Sequence, residues 1–303
     1  MDKDILQIRL HKISKVFNIS KILKLKPSSK DVKNYYLKNR FAYSFFHSKE
    51  NFIHLGISKS NNFNKSDYLY QAKFISKYIK DNSNFNVLEL ATGRGANCKY
   101  LANKFKNASF IGVDISPAQL YYAKKICKSQ KNFTIYERDF HNLNSFKKNS
   151  FDLVFVVESL CHSNNKKSVA KQVFNILKPG GHFVIIDGYL QKRVLTKVEQ
   201  SAFNLTQKCM AINSKDTYKS IVNNFRDLGF ILEYENNVSK KVIPSMRRLE
   251  KFAKLFFKYL FFAKTLKVVL PLEVTLNAIT AYLWVPLTKK GVTVYYITVF
   301  KKP

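Results

Sequence analysis

Apolar positions change their rhythm along this chain. Near the N-terminus, Leu6, Leu10, Ile13 and Phe17 recur at helical spacing among lysines, so residues 5–24 read as a basic amphipathic helix. Pro27-Ser28-Ser29 breaks it. A second helix is predicted over 31–47, carrying Tyr35, Tyr36, Tyr43 and Phe46, then a loop from Gly56 to Lys65 and a helix from about Asp67 to Ile79. From residue 86, short apolar runs alternate with helical stretches. Strands are predicted at 86–90, 109–114, 133–137, 151–157 and 182–186. Helices are predicted at 96–106, from Ser116 to about Lys128, and at 166–177, the last stopped by Lys178-Pro179-Gly180-Gly181. Helices at about 195–210 and 215–229, a strand at 231–236 and an alternating strand over Val292–Phe300 complete the pattern. Continuous apolar strands separated by helices predict an α/β fold with a parallel sheet covered on both faces.

Residues 244–288 interrupt this alternation. Lys251, Lys254 and Lys258 share one helix face, the rest is mostly Phe, Leu, Tyr and Ala, and Pro271 and Pro286 punctuate the segment. Such a stretch suits a helix packed on the core, a lid over an apolar pocket, or a surface that touches membrane. Its aromatic content also suits a subunit interface.

Composition narrows the class. Apolar residues make up 46% of 303, which supplies a substantial core and excludes a disordered chain. The net charge of +32 attracts polyanions, but only eight of the 52 basic residues are arginine, the residue whose planar fork suits phosphate. Together with the abundance of Asn and Ile, this reads as compositional background with some attraction to an anionic membrane. A dedicated nucleic-acid surface is not expected. Cys98, Cys127, Cys161 and Cys209 form no CxxC pair and no zinc-finger spacing with His, so no metal is expected and a reducing, cytoplasmic setting is the simplest reading. Asp2 and Asp4 interrupt the start, so no signal peptide is expected, and no stretch is apolar and uncharged for the length of a membrane span.

The chemistry concentrates in four places. Val87-Leu88-Glu89-Leu90-Ala91-Thr92-Gly93-Arg94-Gly95 runs a strand into a glycine turn and a helix, where glycines let backbone approach a ligand closely. Cys98 stands where a dinucleotide fingerprint has its third glycine. Asp114 ends the next strand, in Ile111-Gly112-Val113-Asp114, where a carboxylate accepts ribose hydroxyls; Ile115 follows it. Asp139-Phe140 follow the third strand and suit an adenine, through the carboxylate and a backbone N–H. Val157-Glu158-Ser159-Leu160-Cys161-His162 end the fourth strand, at the carboxyl edge where a reacting group lies. Glu158 and His162 are four apart, so one helical turn would face both into a cleft. The segment lacks the Asn/Asp-Pro-Pro-aromatic tetrapeptide of base amino-methylation, and Cys161 lacks the preceding proline common in pyrimidine C5 methylation.

In combination, these residues with Phe151-Asp152 and Leu177-Lys178-Pro179-Gly180-Gly181 resemble the class I S-adenosylmethionine-dependent methyltransferases, over residues 85–190. Glu158-Ser159-Leu160-Cys161-His162 further resembles the branch that includes sterol, tocopherol and prenyl-diphosphate C-methyltransferases. Tyr35-Tyr36 and His54-Leu55-Gly56 resemble that branch's N-terminal cap, and Ser245-Met246-Arg247-Arg248-Leu249 and Tyr295 to Pro303 resemble its bacterial members. The resemblance implies a Rossmann-like, doubly wound seven-stranded sheet with the last strand antiparallel. It divides the chain into a helical cap (1–65), a cofactor-binding core (66–243), a helical lid (244–291) and a final core strand (292–303). It implies S-adenosylmethionine as cofactor, held by Tyr36, Glu89, Ala91, Thr92, Gly93, Gly95, Asp114, Ile115, Gln119, Asp139, Phe140 and Val157. Glu158 and His162 would line the reaction centre, and the acceptor would be a carbon or oxygen of a hydrophobic small molecule. Ala91 replaces the first glycine of the family's loop. Two other readings stay open: an RNA or protein methyltransferase using the basic surface, and a non-catalytic membrane- or partner-binding protein on the same fold.

Overall fold

The structure, a computed structural model, describes residues 4–46, 48–191, 194–212, 214 and 216–303. The N-terminal segment forms four short helices, α1 (Ile5–Ser14), α2 (Ile19–Leu23), α3 (Ser29–Lys38) and α4 (Arg40–Phe46). The helix expected over 5–24 is divided because Asn18 takes extended backbone and its side chain accepts from the Lys21 N–H, which starts a new helix. Ser28 and Asp31 close a capping box at α3. The expected end of the second helix at residue 47 lies outside the described residues. A single 3₁₀ stretch (Lys65–Leu69) leads into α5 (Tyr70–Ile75).

The core then alternates as the apolar runs predict: β1 (Asn86–Leu90), α6 (Ala96–Lys104), β2 (Ser109–Asp114), α7 (Pro117–Cys127), β3 (Phe133–Glu137), β4 (Phe151–Val157), α8 (Lys166–Ile176) and β5 (Leu177–Leu190). After α9 (Lys197–Cys209), α10 (Tyr218–Arg226) and β6 (Ile231–Asn237) come α11 (Ser239–Lys258), α12 (Leu260–Val269), α13 (Leu272–Lys289) and β7 (Thr293–Lys301). The expected start of the helix at 215 lies outside the described residues; α10 itself is capped by Thr217. One seven-stranded sheet has the order β3-β2-β1-β4-β5-β7-β6. Only β7 runs antiparallel to its neighbours. The order reverses between β1 and β4, the switch point where open α/β sheets bind ligands. This is the doubly wound Rossmann-like sheet with an antiparallel last strand that the sequence predicts.

The helix expected over 31–47 is divided at Asn39 into α3 and α4, α5 ends at Ile75 and not at Ile79, and three later boundaries also differ from expectation. β5 is longer than 182–186, because Leu177 pairs with Phe151 and residues 182–190 pair with the whole of β7. The insert begins at Ser239, five residues before 244, and Pro244 lies inside α11. Pro286 does not punctuate it but sits inside α13, whereas Pro271 does mark the start of that helix.

Apolar side chains cover both faces of the sheet. A separate cluster joins Leu6, Ile13 and Phe17 to Phe203, Phe257 and Leu283, so α1 and α2 pack with α9, α11 and α13. Within it the buried Arg9 pairs with Glu250 at 2.5 Å. The first 65 residues therefore play two parts, since α3 and α4 continue from this bundle to the carboxyl edge of the sheet.

Candidate active site

The loop after β1 is shaped by three left-handed residues, Ala91 (φ 50°), Gly93 (φ 57°) and Gly95 (φ 76°). A Cβ on Gly93 would lie 2.9 Å from Ile53 Cδ1, so a larger residue would have to displace the Ile53 tip as well as hold a left-handed backbone. Ala91 holds the conformation without being glycine. The turn is braced from inside: Thr92 Oγ1 donates to Glu89 Oε2 at 2.6 Å, and Asn97 Nδ2 donates to Glu89 Oε1 at 3.2 Å. Burial pushes the Glu89 carboxyl up to about 7. Of the residues expected at the site, Glu89, Thr92, Gly95, Val157 and Glu158 shape this edge but do not line the cleft beside it.

Asp114 faces that loop from the end of β2. Its Oδ2 accepts the Gly93 N–H and its Oδ1 accepts the Ser116 N–H, each at 2.8 Å. Burial raises its carboxyl to about 6. A carboxylate offers about four lone-pair sites, so acceptor capacity remains. Beside it, the buried Gln119 Nε2 and Ser116 Oγ have no protein partner. Gln119 Oε1 accepts from Arg94 Nε at 3.1 Å.

The cleft is lined from the core by Ala91, Gly93, Asp114, Ile115, Gln119, Asp139 and Phe140, and from the cap by Val32, Tyr36 and Ile53. His141, Ser159 and His162 complete it. No lysine or arginine is among these lining residues. His141 is a participant that the sequence reading missed. Its Nδ1 lies 2.6 Å from Asp139 Oδ1 and its Nε2 lies 2.8 Å from Ser163 Oγ. The pairing with His141 holds the Asp139 carboxyl below its ordinary range.

The end of β4 departs from the expected helical turn. Glu158 sits at φ 49°, and only Leu160–His162 form a 3₁₀ turn, so Glu158 and His162 are not stacked one turn apart. Glu158 points to the cap: its Oε1 accepts the Leu55 N–H at 2.8 Å and the Tyr295 hydroxyl at 2.6 Å. Burial pushes its carboxyl up to about 7. His162 faces α3 instead, with Nε2 3.3 Å from the Tyr36 hydroxyl. Burial lowers the imidazole to about 4, so it is neutral at pH 7. Burial raises the Cys161 thiol well above its usual value, which makes it a poor nucleophile.

The cap is held by the rest of the chain. Leu55 O accepts Gln71 Nε2 at 2.6 Å, and Ser245 Oγ accepts the Gly56 N–H at 3.0 Å. Tyr43 donates to Tyr35, and Tyr35 donates to Asn277 Oδ1 of α13 at 2.7 Å. No residue of 244–288 lines the cleft. The insert meets the site through α3. The free volume in the cleft is about 50 Å³.

A seven-stranded doubly wound sheet with a left-handed loop after β1 and a carboxylate ending β2 defines a class I methyltransferase fold. Residues 81–226 match the family model described as methyltransferase domain. Over 207 residues it is 25% identical to sterol methyltransferase-like 3 of Botryococcus braunii, covering 65% of this chain and 52% of that protein. Over 106 residues it is 32% identical to a sterol 24-C-methyltransferase of Saccharomyces cerevisiae, covering 33% of this chain and 27% of that protein. The chain thus spans about half or less of the length of these curated relatives. Among solved structures, the cyclopropane synthase MmaA2 of Mycobacterium tuberculosis superposes with a TM-score of 0.74 at 13% identity, covering 92% of this chain and 100% of that one.

Proposed function

We propose that this protein is a cytoplasmic enzyme that transfers a methyl group from S-adenosylmethionine to carbon or oxygen of a hydrophobic small molecule. The juxtaposition of Asp114 with the Gly93 loop carries the reading. An ionisable carboxylate with spare lone pairs lies against close-approach backbone, beside two buried polar atoms that lack protein partners. These groups suit a nucleoside: Asp114 takes the ribose hydroxyls, Asp139 and the Phe140 backbone take the adenine, and Gly93 admits the methionine part. Gln119 Nε2 and Ser116 Oγ are donors left for the same ligand. Sites for ligands of this size enclose about 300 Å³ or more, so α3 and Ile53 swing outward to admit it.

When bound, S-adenosylmethionine supplies a methyl group activated on a sulfonium. The chain's own work is positioning, water exclusion and proton handling. Tyr36, Val32 and Ile53 close over the cleft and keep water out. Glu158, poised near neutrality, steadies positive charge or takes the acceptor's proton. Neutral His162, anchored by Tyr36, holds the acceptor's polar end. The absence of lysine and arginine among the described residues that line the cleft favours an acceptor without an anionic group there. The relatives named for sterol methylation accord with a lipid-like acceptor. Such a compound partitions into membrane, and the enzyme works at an anionic bilayer surface. No described helix is long and apolar enough to cross one.

The test uses S-adenosylmethionine labelled on its methyl group, incubated with the protein and an extract of the source cells, with Asp114→Ala as the blank. Label in the organic-soluble fraction is expected. Label confined to RNA or protein would overturn the choice of acceptor, and no transfer above the blank would overturn the activity.

A further inference from the structure

We infer that α12, flanked by the end of α11 and the start of α13, is the surface that docks this protein on an anionic membrane. The inference rests on the hydrophobic-acceptor reading, which it deepens by naming the face that meets the lipid. α12 is inverted for a soluble helix. It buries only Ala263 fully, while Phe261 (87% exposed), Val268 (85%) and Val269 (72%) point to solvent. Leu255 and Tyr259 extend the exposed apolar surface onto the end of α11. Soluble proteins seldom leave so many large apolar side chains contiguous and uncovered.

Charge selects the occupant. Residues 251–272 contain five lysines and no acidic residue. Lys267 donates to Val16 O and Lys254 pairs with Glu250, while Lys251, Lys258 and Lys264 are exposed around the apolar patch. A second copy of the chain docked by a two-fold axis would set these lysines against themselves. A bilayer with anionic headgroups complements both parts: lysines meet the headgroups and the apolar face enters the acyl boundary. A helix of this length spans about 15 Å, enough to lie in the interface and too short to cross it.

Docking here also orients the site. Tyr35 of α3 and Asn39 at its C-terminal cap bond Asn277 of α13, and Asn39 bonds Glu273 O at the first turn of α13. The next helix, α4, exposes Phe41 (69%). The helix that follows the docking face thus also holds the cap carrying Tyr36, and an acceptor leaving the bilayer arrives near the cap.

Flotation of the full chain with phosphatidylcholine vesicles, with and without phosphatidylglycerol, tests this. Binding to the anionic vesicles is expected, with at least about fivefold weaker binding to neutral ones. Phe261→Ser/Val268→Ser/Val269→Ser should lower vesicle affinity about tenfold or more. Lys251→Gln/Lys258→Gln/Lys264→Gln should abolish the preference for anionic lipid. Undiminished binding by the serine variant, or equal binding to both vesicles, would overturn the proposal. So would a wild-type dimer that the serine variant dissolves, since that assigns the face to a second copy. S-adenosylmethionine affinity measured on the same preparations separates the two readings. Lost vesicle binding with intact cofactor binding rejects docking alone; vesicle binding without cofactor binding rejects the enzymatic reading alone.

Discussion

The Tyr295 hydroxyl donates to Glu158 Oε1 at 2.6 Å, and the Leu55 N–H donates to the same oxygen at 2.8 Å. One carboxylate oxygen thus ties the last strand, the end of β4 and the cap. Both donors favour the ionised form, yet burial dominates and holds the group at about 7. Tyr295→Phe deletes one donor to the charged form and should raise that value further. Where transfer requires ionised Glu158, the acid limb of the rate–pH profile moves upward by about one unit in Tyr295→Phe. Glu158→Gln should abolish the limb along with most turnover. Superimposable wild-type and Tyr295→Phe profiles would remove Glu158 from the proton chemistry.

The same raised value has a consequence for stability. Glu158 rises from 4.5 to about 7 on folding. Below about 4.5 it is protonated in both states and its neutral burial is fully stabilising. Between about 4.5 and 7 only the unfolded chain ionises, so stability falls with rising pH; above about 7 both states ionise and the effect levels off. Glu158→Gln keeps a neutral, similarly shaped group and lacks this dependence. The wild type should therefore lose stability relative to Glu158→Gln across that window, by up to about 3 kcal/mol. Chemical denaturation at pH 5 and pH 8 measures it, and a constant difference would refute the coupling.

Asp114 carries the cofactor assignment. Replacing it with alanine removes acceptors for two backbone donors and for the ribose, each charged hydrogen bond contributing about 1.5–3 kcal/mol. Titration calorimetry with S-adenosylmethionine should show at least about tenfold weaker binding with the fold retained. An unchanged dissociation constant would take the ribose away from Asp114.

What could be read in the sequence was local. β1 to β4 are short apolar runs whose alternation with helices dictates the sheet, and the ends of those strands carry Gly93, Asp114, Asp139 and Glu158 in readable order. What escaped depends on partners far away in the chain. Nothing in the alternation of Val292–Phe300 distinguishes Tyr295 from Tyr296, yet the β5–β7 register sets Tyr295 against Gly188, and its hydroxyl reaches Glu158. His141 stands directly after the Asp139-Phe140 pair, and its proximity to an acidic candidate residue was the available signal. The orientation of Glu158 was misjudged because its left-handed backbone arises from tertiary contacts that helical spacing does not reveal.

Arg94 is the other residue whose role is legible only in three dimensions. It is the middle residue of Gly93-Arg94-Gly95, a position at which the local motif specifies no side chain, yet it is 1% exposed. Its NH1 donates to Ser44 Oγ at 2.8 Å, its NH2 to Arg40 O at 2.5 Å and its Nε to Gln119 Oε1, while the guanidinium lies 4.2 Å from the Tyr122 ring centroid. It thereby fastens α4 of the cap to the loop after β1 and α7. Lysine has one ammonium and cannot reach three divergent acceptors in one plane. Arg94→Lys should therefore destabilise the protein by about 2–4 kcal/mol and free the cap before the core. Hydrogen exchange of amides in 35–46 should accelerate at least about tenfold while β1 and β4 change little. Cofactor association should speed up, because the cap opens more readily, and dissociation should speed up more, which weakens affinity. Uniform acceleration across cap and core would mean that Arg94 stabilises the fold as a whole and does not latch the cap.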